Sequence, residues 1–168
     1  GILIKGSNYM DTLAKTGTVV FDKTGTLTKG KFEVEAIHTH DFDEKELLHL
    51  AAHVERFSTH PIAVSLKTAF GNENDGCHVE DVEEIAGQGV KARVNGKMVF
   101  VGNEKLMQSI GADWHPCHKT GTIVHVAIDG IYAGHIVVSD IIKEDAALAV
   151  GQLKKRGVHK TVMLTGDR

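Results

Sequence analysis

Thr18-Val19-Val20-Phe21-Asp22-Lys23-Thr24-Gly25-Thr26-Leu27-Thr28 is the stretch on which the reading of this chain turns. Residues 18–21 are apolar and β-rich, which predicts a short buried strand with Asp22 at its carboxyl end. Carboxyl ends of strands in α/β sheets are where ligands and reactive groups collect. A carboxylate there can attack a phosphoryl group and form an acyl phosphate. The glycine and hydroxyl residues that follow supply close N–H and O–H donors for phosphate oxygens. Lys-Thr-Gly-Thr occurs at 15–18, 23–26 and 119–122, but only the second copy follows an aspartate at the end of an apolar strand. A lone strand-end aspartate is more often an ordinary turn residue.

Outward from this segment, residues 24–30 read as a loop and 31–38 as a second strand. Leu47, Leu48, Leu50, Ala51 and Val54 recur at helical spacing, predicting a helix over 43–57 with Asp41 or Asp43 as its N-cap. Ser58-Thr59-His60-Pro61 breaks it, and a second helix over 62–70 begins at or just after Pro61. A turn-rich loop over 71–78 leads to strands at 79–85, 90–94 and 98–101, with Asn95-Gly96 as a hairpin turn. A short helix (104–110), an irregular stretch (111–121) and a hairpin (123–128 and 132–138) around Asp129-Gly130 follow. An amphipathic helix over 143–156, ended by Gly157, and a strand over 161–164 complete the pattern. The order predicts an α/β fold: a partial Rossmann-like domain holding 1–30 and 138–168, with an α+β domain on an antiparallel sheet inserted as 31–137.

The bulk properties narrow the function classes. Of the 168 residues, 42% are apolar but only 5% aromatic, so the core is aliphatic. The formal net charge of -3 argues against a nucleic-acid partner, which calls for a basic face. Two cysteines, Cys77 and Cys117, make no disulfide framework and suit a reducing compartment. No apolar run reaches the ~20 residues that span a bilayer. The chain, with no initiator Met and no signal peptide, reads as a soluble piece of a longer protein. The 11 histidines suggest metal sites at His38-x-His40 and His115-Pro-Cys117-His118. Neither completes a tetrahedral set in itself, so solvated loop residues are the expectation.

The segment 22–28 matches the signature of the P-type ATPases, whose phosphorylation domain resembles the haloacid-dehalogenase-like hydrolases. Phosphatases of that superfamily carry a second aspartate two residues after the nucleophile as an acid/base. Thr24 stands there, so an aspartyl phosphate is expected to hydrolyse slowly, as coupling to a pump requires. The inserted block resembles the nucleotide-binding domain of the heavy-metal (type IB) branch. Glu55 lies five residues before His60-Pro61, and Gly87-Gln88-Gly89 and Gly102-Asn103 match the branch's G-x-G and G-N elements. Gly87 and Gly89 would let backbone approach a ligand, His60 could stack on or orient an adenine, and Glu55 could accept from its amino group. Asn103 could hold a ribose or phosphate oxygen. No G-x-x-x-x-G-K-[ST] string is present, so this is not a P-loop site.

The resemblance extends to Asp140-Ile141-Ile142-Lys143, a D-x-x-K element at re-entry into the first domain, and to Thr165-Gly166-Asp167, a T-G-D loop. It implies a catalytic set of Asp22, Lys23, Thr24, Thr165, Gly166 and Asp167. It implies ATP bound by Glu55, His60, Gly87, Gly89, Gly102 and Asn103, and Mg2+ at Asp22 and Thr24. Gly1–Gly6 resembles the stretch that leaves a metal-conducting membrane helix. The family's G-D-G-x-N-D loop would lie beyond residue 168, so the chain should bind ATP with little turnover. Relatives place a lysine beside Gly121-Thr122; here it is displaced to Lys119. Residues 139–145 and 121–127 look more like the zinc, cadmium and lead pumps than the copper pumps. The implied partners are ATP and the remaining phosphorylation, actuator and transmembrane domains, which hold the transported cation. A monomer at the cytoplasmic face of a membrane, of a bacterial plasma membrane by resemblance, is the expectation. The alternatives are a soluble phosphatase or mutase of the same superfamily and a non-catalytic nucleotide-binding module.

Overall fold

The structure is a computed structural model that describes residues 3–39, 41–72 and 75–165. The chain forms two compact units: one holds the residues up to Gly30 and from Ile141 onward, the other holds Lys31–Asp140.

In the first unit, helix α1 (Ser7–Ala14) precedes strand β1 (Thr18–Asp22), which pairs in parallel with β8 (Lys160–Leu164). The register sets Asp22 opposite Leu164, so Thr165 leaves its strand one residue past the level of Asp22. Helix α5 (Ala146–Lys155) precedes β8, and its last turn carries Lys154 and Lys155, which suit the negative end of the helix dipole. Val20, Leu148, Met163 and Leu164 are exposed, although a parallel pair is ordinarily covered on both faces.

The second unit is built on a six-stranded sheet in the order β2-β7-β6-β5-β4-β3. The strands are β2 (Thr28–Thr39), β3 (Val79–Ile85), β4 (Gly89–Val94), β5 (Lys97–Gly102), β6 (Thr122–Ile128) and β7 (Ile131–Ile142). Pairing from β3 through β7 is antiparallel. Asn95 (φ 48) and Gly96 (φ 85) both adopt positive φ, as the tight β4–β5 turn requires. Helices α2 (Glu44–Val54) and α3 (Pro61–Phe70) cover one face. Leu47, Leu50, Ala51 and Val54 of α2 and Leu66 of α3 meet Val94, Val99, Val101, Val126 and Ile136 in an aliphatic core. Each fully buried Leu or Val there contributes about 1.5–3 kcal/mol. A smaller cluster joins α4 (Glu104–Ser109) to the sheet through Leu106, Met107, Ala127 and Tyr132.

Local chemistry explains the helix starts. Asp43 caps α2 by accepting from Lys45 N at 2.8 Å and Glu46 N at 3.4 Å, and of the two expected capping residues it is the one used. Pro61 opens α3, where its missing N–H costs nothing. Five elements differ from the sequence expectation by three residues or more, among them α2, which ends at Val54 rather than 57, and α5, which begins at Ala146 rather than 143. Helix α1 was not anticipated, β2 begins at Thr28 rather than 31, and β7 continues to Ile142 where a strand end at 138 was expected. No helix among the described residues is long and apolar enough to cross a membrane.

Candidate functional site

In the first unit the chain after β1 winds through residues 23–27 with Gly25 in the left-handed region (φ 76, ψ -13). The turn is held from inside by Thr28, which is 4% exposed. Gly25 N donates to Thr28 Oγ1 at 3.1 Å, and Thr28 Oγ1 donates to Lys23 O at 3.0 Å. Lys143 adds an outer clamp, donating from Nζ to Gly25 O at 3.0 Å and from its backbone N to Leu27 O at 3.0 Å. Asp22 and Thr24 are exposed and Lys23 is half-buried. A carboxylate therefore stands open to solvent on a braced loop, beside the strand end that leads to Thr165. Gly166 and Asp167 lie outside the described residues. Thr28 and Lys143 belong to segments the sequence singles out, yet their bracing roles depend on contacts that only the fold supplies.

In the second unit, Glu55, His60, Gly87, Gly89, Gly102 and Asn103 all line one cleft of about 700 Å3. The two glycine motifs that lie apart in sequence are a single piece of structure. Gly89 of β4 pairs directly with Gly102 of β5. Asn103 N donates to Gln88 O at 2.8 Å, and Asn103 Nδ2 donates to Gly87 O at 2.9 Å. Asn103 Oδ1 caps α4, accepting from Lys105 N at 3.0 Å and Leu106 N at 3.3 Å. The Asn103 side chain thus locks the Gly87-Gln88-Gly89 turn to α4, and one of its two amide hydrogens is spent on Gly87.

His60 sits at the N-cap of α3, where its Nδ1 accepts from Ile62 N at 3.3 Å. In the neutral ring this places the proton on Nε2, which makes the other edge a donor. Glu55 caps the end of α2 and is half-buried. Burial pushes its carboxyl above the usual range, opposed by the Ser58 hydroxyl and by His60. Lys67 Nζ holds the intervening loop by donating to Arg56 O at 3.2 Å and Ser58 O at 2.8 Å. Apolar walls come from Val82, Ile85, Val90 and Ile123, the composition of a small-molecule site with a few placed polar groups. Alternating strands do not mark these four in advance, because which strand face meets the cleft is a tertiary fact.

The histidines gather more than the sequence suggested. Cys117, expected in a solvated loop, has its sulfur within 4.8 Å of ring nitrogens of His38 and His135. His135 lies 3.1 Å by Nδ1 from the Tyr132 hydroxyl, which is 2.9 Å from His125 Nδ1. Burial lowers His125 to about 4 and raises Tyr132 to about 12. His118 is exposed, and His40 lies outside the described residues. A second gathering, of His49, His53, Asp75 and Cys77, was not anticipated at all. Its members come from α2 and from a loop more than twenty residues later.

A family model described as haloacid dehalogenase-like hydrolase matches residues 16–168. A zinc-transporting ATPase of Synechocystis sp. is 52% identical, over 99% of this chain and 23% of its own length. A cadmium, zinc and cobalt-transporting ATPase of Bacillus subtilis is 49% identical, over 99% of this chain and 24% of its own. A crystal structure of a zinc-transporting PIB-type ATPase superposes with a TM-score of 0.77 at 35% identity, over 99% of this chain and 28% of that one. The chain spans about a quarter of the length of the curated relatives it matches.

Proposed function

Because the chain belongs to the haloacid dehalogenase-like hydrolases, we propose that it is the ATP-binding and phosphorylation region of an ATP-driven heavy-metal cation pump, phosphorylated on Asp22. The observation that carries the reading is the convergence of Glu55, His60, Gly87, Gly89, Gly102 and Asn103 on one cleft. It occurs in a chain whose other unit exposes Asp22 at a strand end. Zinc and cadmium are favoured as cargo by the names of the two relatives. The transported ion would bind in membrane domains of the parent protein, and this region would lie at the cytoplasmic face as a single copy.

In the reaction, an Asp22 carboxylate oxygen attacks the γ-phosphorus of ATP. The new O–P bond forms as the bond to the β,γ-bridging oxygen breaks, and ADP leaves with that electron pair. The braced turn after Asp22 keeps the carboxylate in place, and Thr24, Thr26 and Thr165, which follow the paired ends of β1 and β8, supply donors for phosphoryl oxygens, the Gly25 N–H being held by Thr28. Glu55 accepts from the adenine amino group, His60 orients the ring through Nε2–H, and Gly87 and Gly89 admit the nucleotide against backbone. Thr24 is not a base and cannot take a proton from attacking water, so the acyl phosphate persists. Asp22 and the Thr24 carbonyl, in extended backbone (φ -73, ψ 125), are hard oxygen donors of the kind Mg2+ takes beside phosphate and water. The residues therefore fit that ion, which when bound neutralises charge on the phosphate oxygens.

Calorimetric titration of the chain with ATP tests the cleft. The expected result is one site, weakened at least about 10-fold in His60→Gln, the loss that roughly 1.4 kcal/mol represents. Absence of binding, or equal binding by the variant, would remove the nucleotide reading and reopen that of a soluble phosphatase.

A further inference from the structure

The gathering of His49, His53, Asp75 and Cys77 lies in the second unit and takes no part in the nucleotide reading. His49 and His53 stand four apart on α2, so their rings leave the same helix face. Phe70 fixes both: His49 stacks on it at 5.0 Å between ring centroids, and His53 meets it edge-on at 5.5 Å. The loop before β3 brings Asp75 and Cys77 to the same point. Asp75 Oδ2 lies 2.8 Å from His49 Nε2 and 3.1 Å from His53 Nε2, and Cys77 Sγ lies 3.1 Å from His49 Nε2. All four donor atoms lie within 4.8 Å of one another. The His53 side chain is 1% exposed and the Asp75 side chain 18%.

We propose that these four side chains are a closed binding site for a Zn2+-class divalent cation, separate from the ion the pump would carry. Two imidazoles, a carboxylate and a thiolate are a four-coordinate set suited to Zn2+ or Cd2+. Ligand atoms around a tetrahedral Zn2+ stand about 3.3–3.8 Å apart, given bonds of about 2.0–2.3 Å. The present spacings need only a small outward adjustment to reach that. Hydrogen bonding alone leaves one contact unserved: Asp75 Oδ2 can accept from both imidazoles, but His49 Nε2 has one hydrogen or one lone pair and faces both a carboxylate and a sulfur. A central cation satisfies all four. Partners behind the ligands are in place as well. Cys77 N donates to Asp75 Oδ1 at 3.0 Å, and Asn95 Nδ2 donates to Cys77 Sγ at 3.1 Å, a contact that orients the sulfur. The bound ion would staple the loop before β3 to the helix whose C-cap, Glu55, lines the cleft.

The test is titration of the reduced 168-residue chain with Co2+, followed by displacement with Zn2+ in competition with a chromophoric chelator. The expected result is one equivalent of Co2+ with the intense visible bands of four-coordination and a thiolate charge-transfer band. Zn2+ then displaces Co2+ one for one. Cys77→Ser should abolish the charge-transfer band and weaken Zn2+ at least about 100-fold, with Cys117→Ser unchanged. Circular dichroism of metal-free Cys77→Ser checks its fold, and His49→Gln, in a half-buried position, provides a second variant expected to weaken Zn2+ similarly. Substoichiometric binding, a six-coordinate spectrum, a band that survives in Cys77→Ser, or one lost in Cys117→Ser would overturn the proposal.

Discussion

Replacing Gly102 by alanine should loosen the proposed nucleotide cleft where Gly102 of β5 pairs with Gly89 of β4. A Cβ at Gly102 would run into Gln88 O and stand 2.8 Å from Leu106 Cδ2 and 2.9 Å from Gly89 Cα. Leu106 Cδ2 can rotate away, but Gln88 O and Gly89 Cα are backbone, and Gln88 O is held by Asn103 N at 2.8 Å. Relief therefore requires parting two paired strands, an overpacking cost of about 1–3 kcal/mol. The same movement pulls Gly87-Gln88-Gly89 from Asn103. Two companion substitutions separate the causes. Gly87→Ala meets no atom within 4 Å but must hold φ at +70, which costs about 1 kcal/mol. Gly89→Ala suffers both penalties, with φ at +150 and a Cβ against Val101 O. Urea denaturation should rank the losses Gly89→Ala, then Gly102→Ala, then Gly87→Ala. ATP titration should show Gly102→Ala weakened about 10-fold. A Gly102→Ala chain within 0.5 kcal/mol of the parent and equal to it in ATP affinity would refute the packing argument.

Other outcomes follow from the same geometry. Thr28→Val takes from Gly25 N–H its acceptor and leaves Lys23 C=O only the Thr28 backbone N–H, and should cost about 1 kcal/mol in urea denaturation, with Thr28→Ser restoring most of it. Burial holds His125 at about 4 against an ordinary 6.5, so neutral His125 contributes stability above pH 6.5 that is lost as pH falls toward 4. The loss is on the order of 3 kcal/mol, and His125→Gln should flatten the pH dependence of the denaturation midpoint over that window. Because burial raises the Glu55 pKa above 4.5, ATP affinity should fall on acidification with a midpoint above 4.5. That step should be absent in Glu55→Gln.

Much of the fold could be read in advance because local chemistry and tertiary structure agree. Asn95-Gly96 specifies its own tight turn, Asp43 and Pro61 mark helix starts, and the spacing of Leu47, Leu50, Ala51 and Val54 marks a buried face. The extension of β7 past residue 138 could not be read this way. Ser139 and Asp140 are poor strand formers by propensity, yet both lie within β7. Within the cleft the six expected residues were legible as motifs. The use of the Asn103 side chain was not, since it depends on the Gly89–Gly102 pairing that brings Gly87 within 2.9 Å. His49 and His53 share a helix face in the sequence, but nothing local to Asp75 and Cys77 announces that they arrive at the same point.

The central claim is that residues 31–140 present one ATP cleft, and backbone amide NMR on ATP addition addresses it most directly. The account predicts saturable shifts concentrated at Glu55, His60, Gly87, Gly89, Gly102 and Asn103, with the core amides of α2 and β6 little moved. Shifts scattered over the surface, or centred away from these residues, would contradict it.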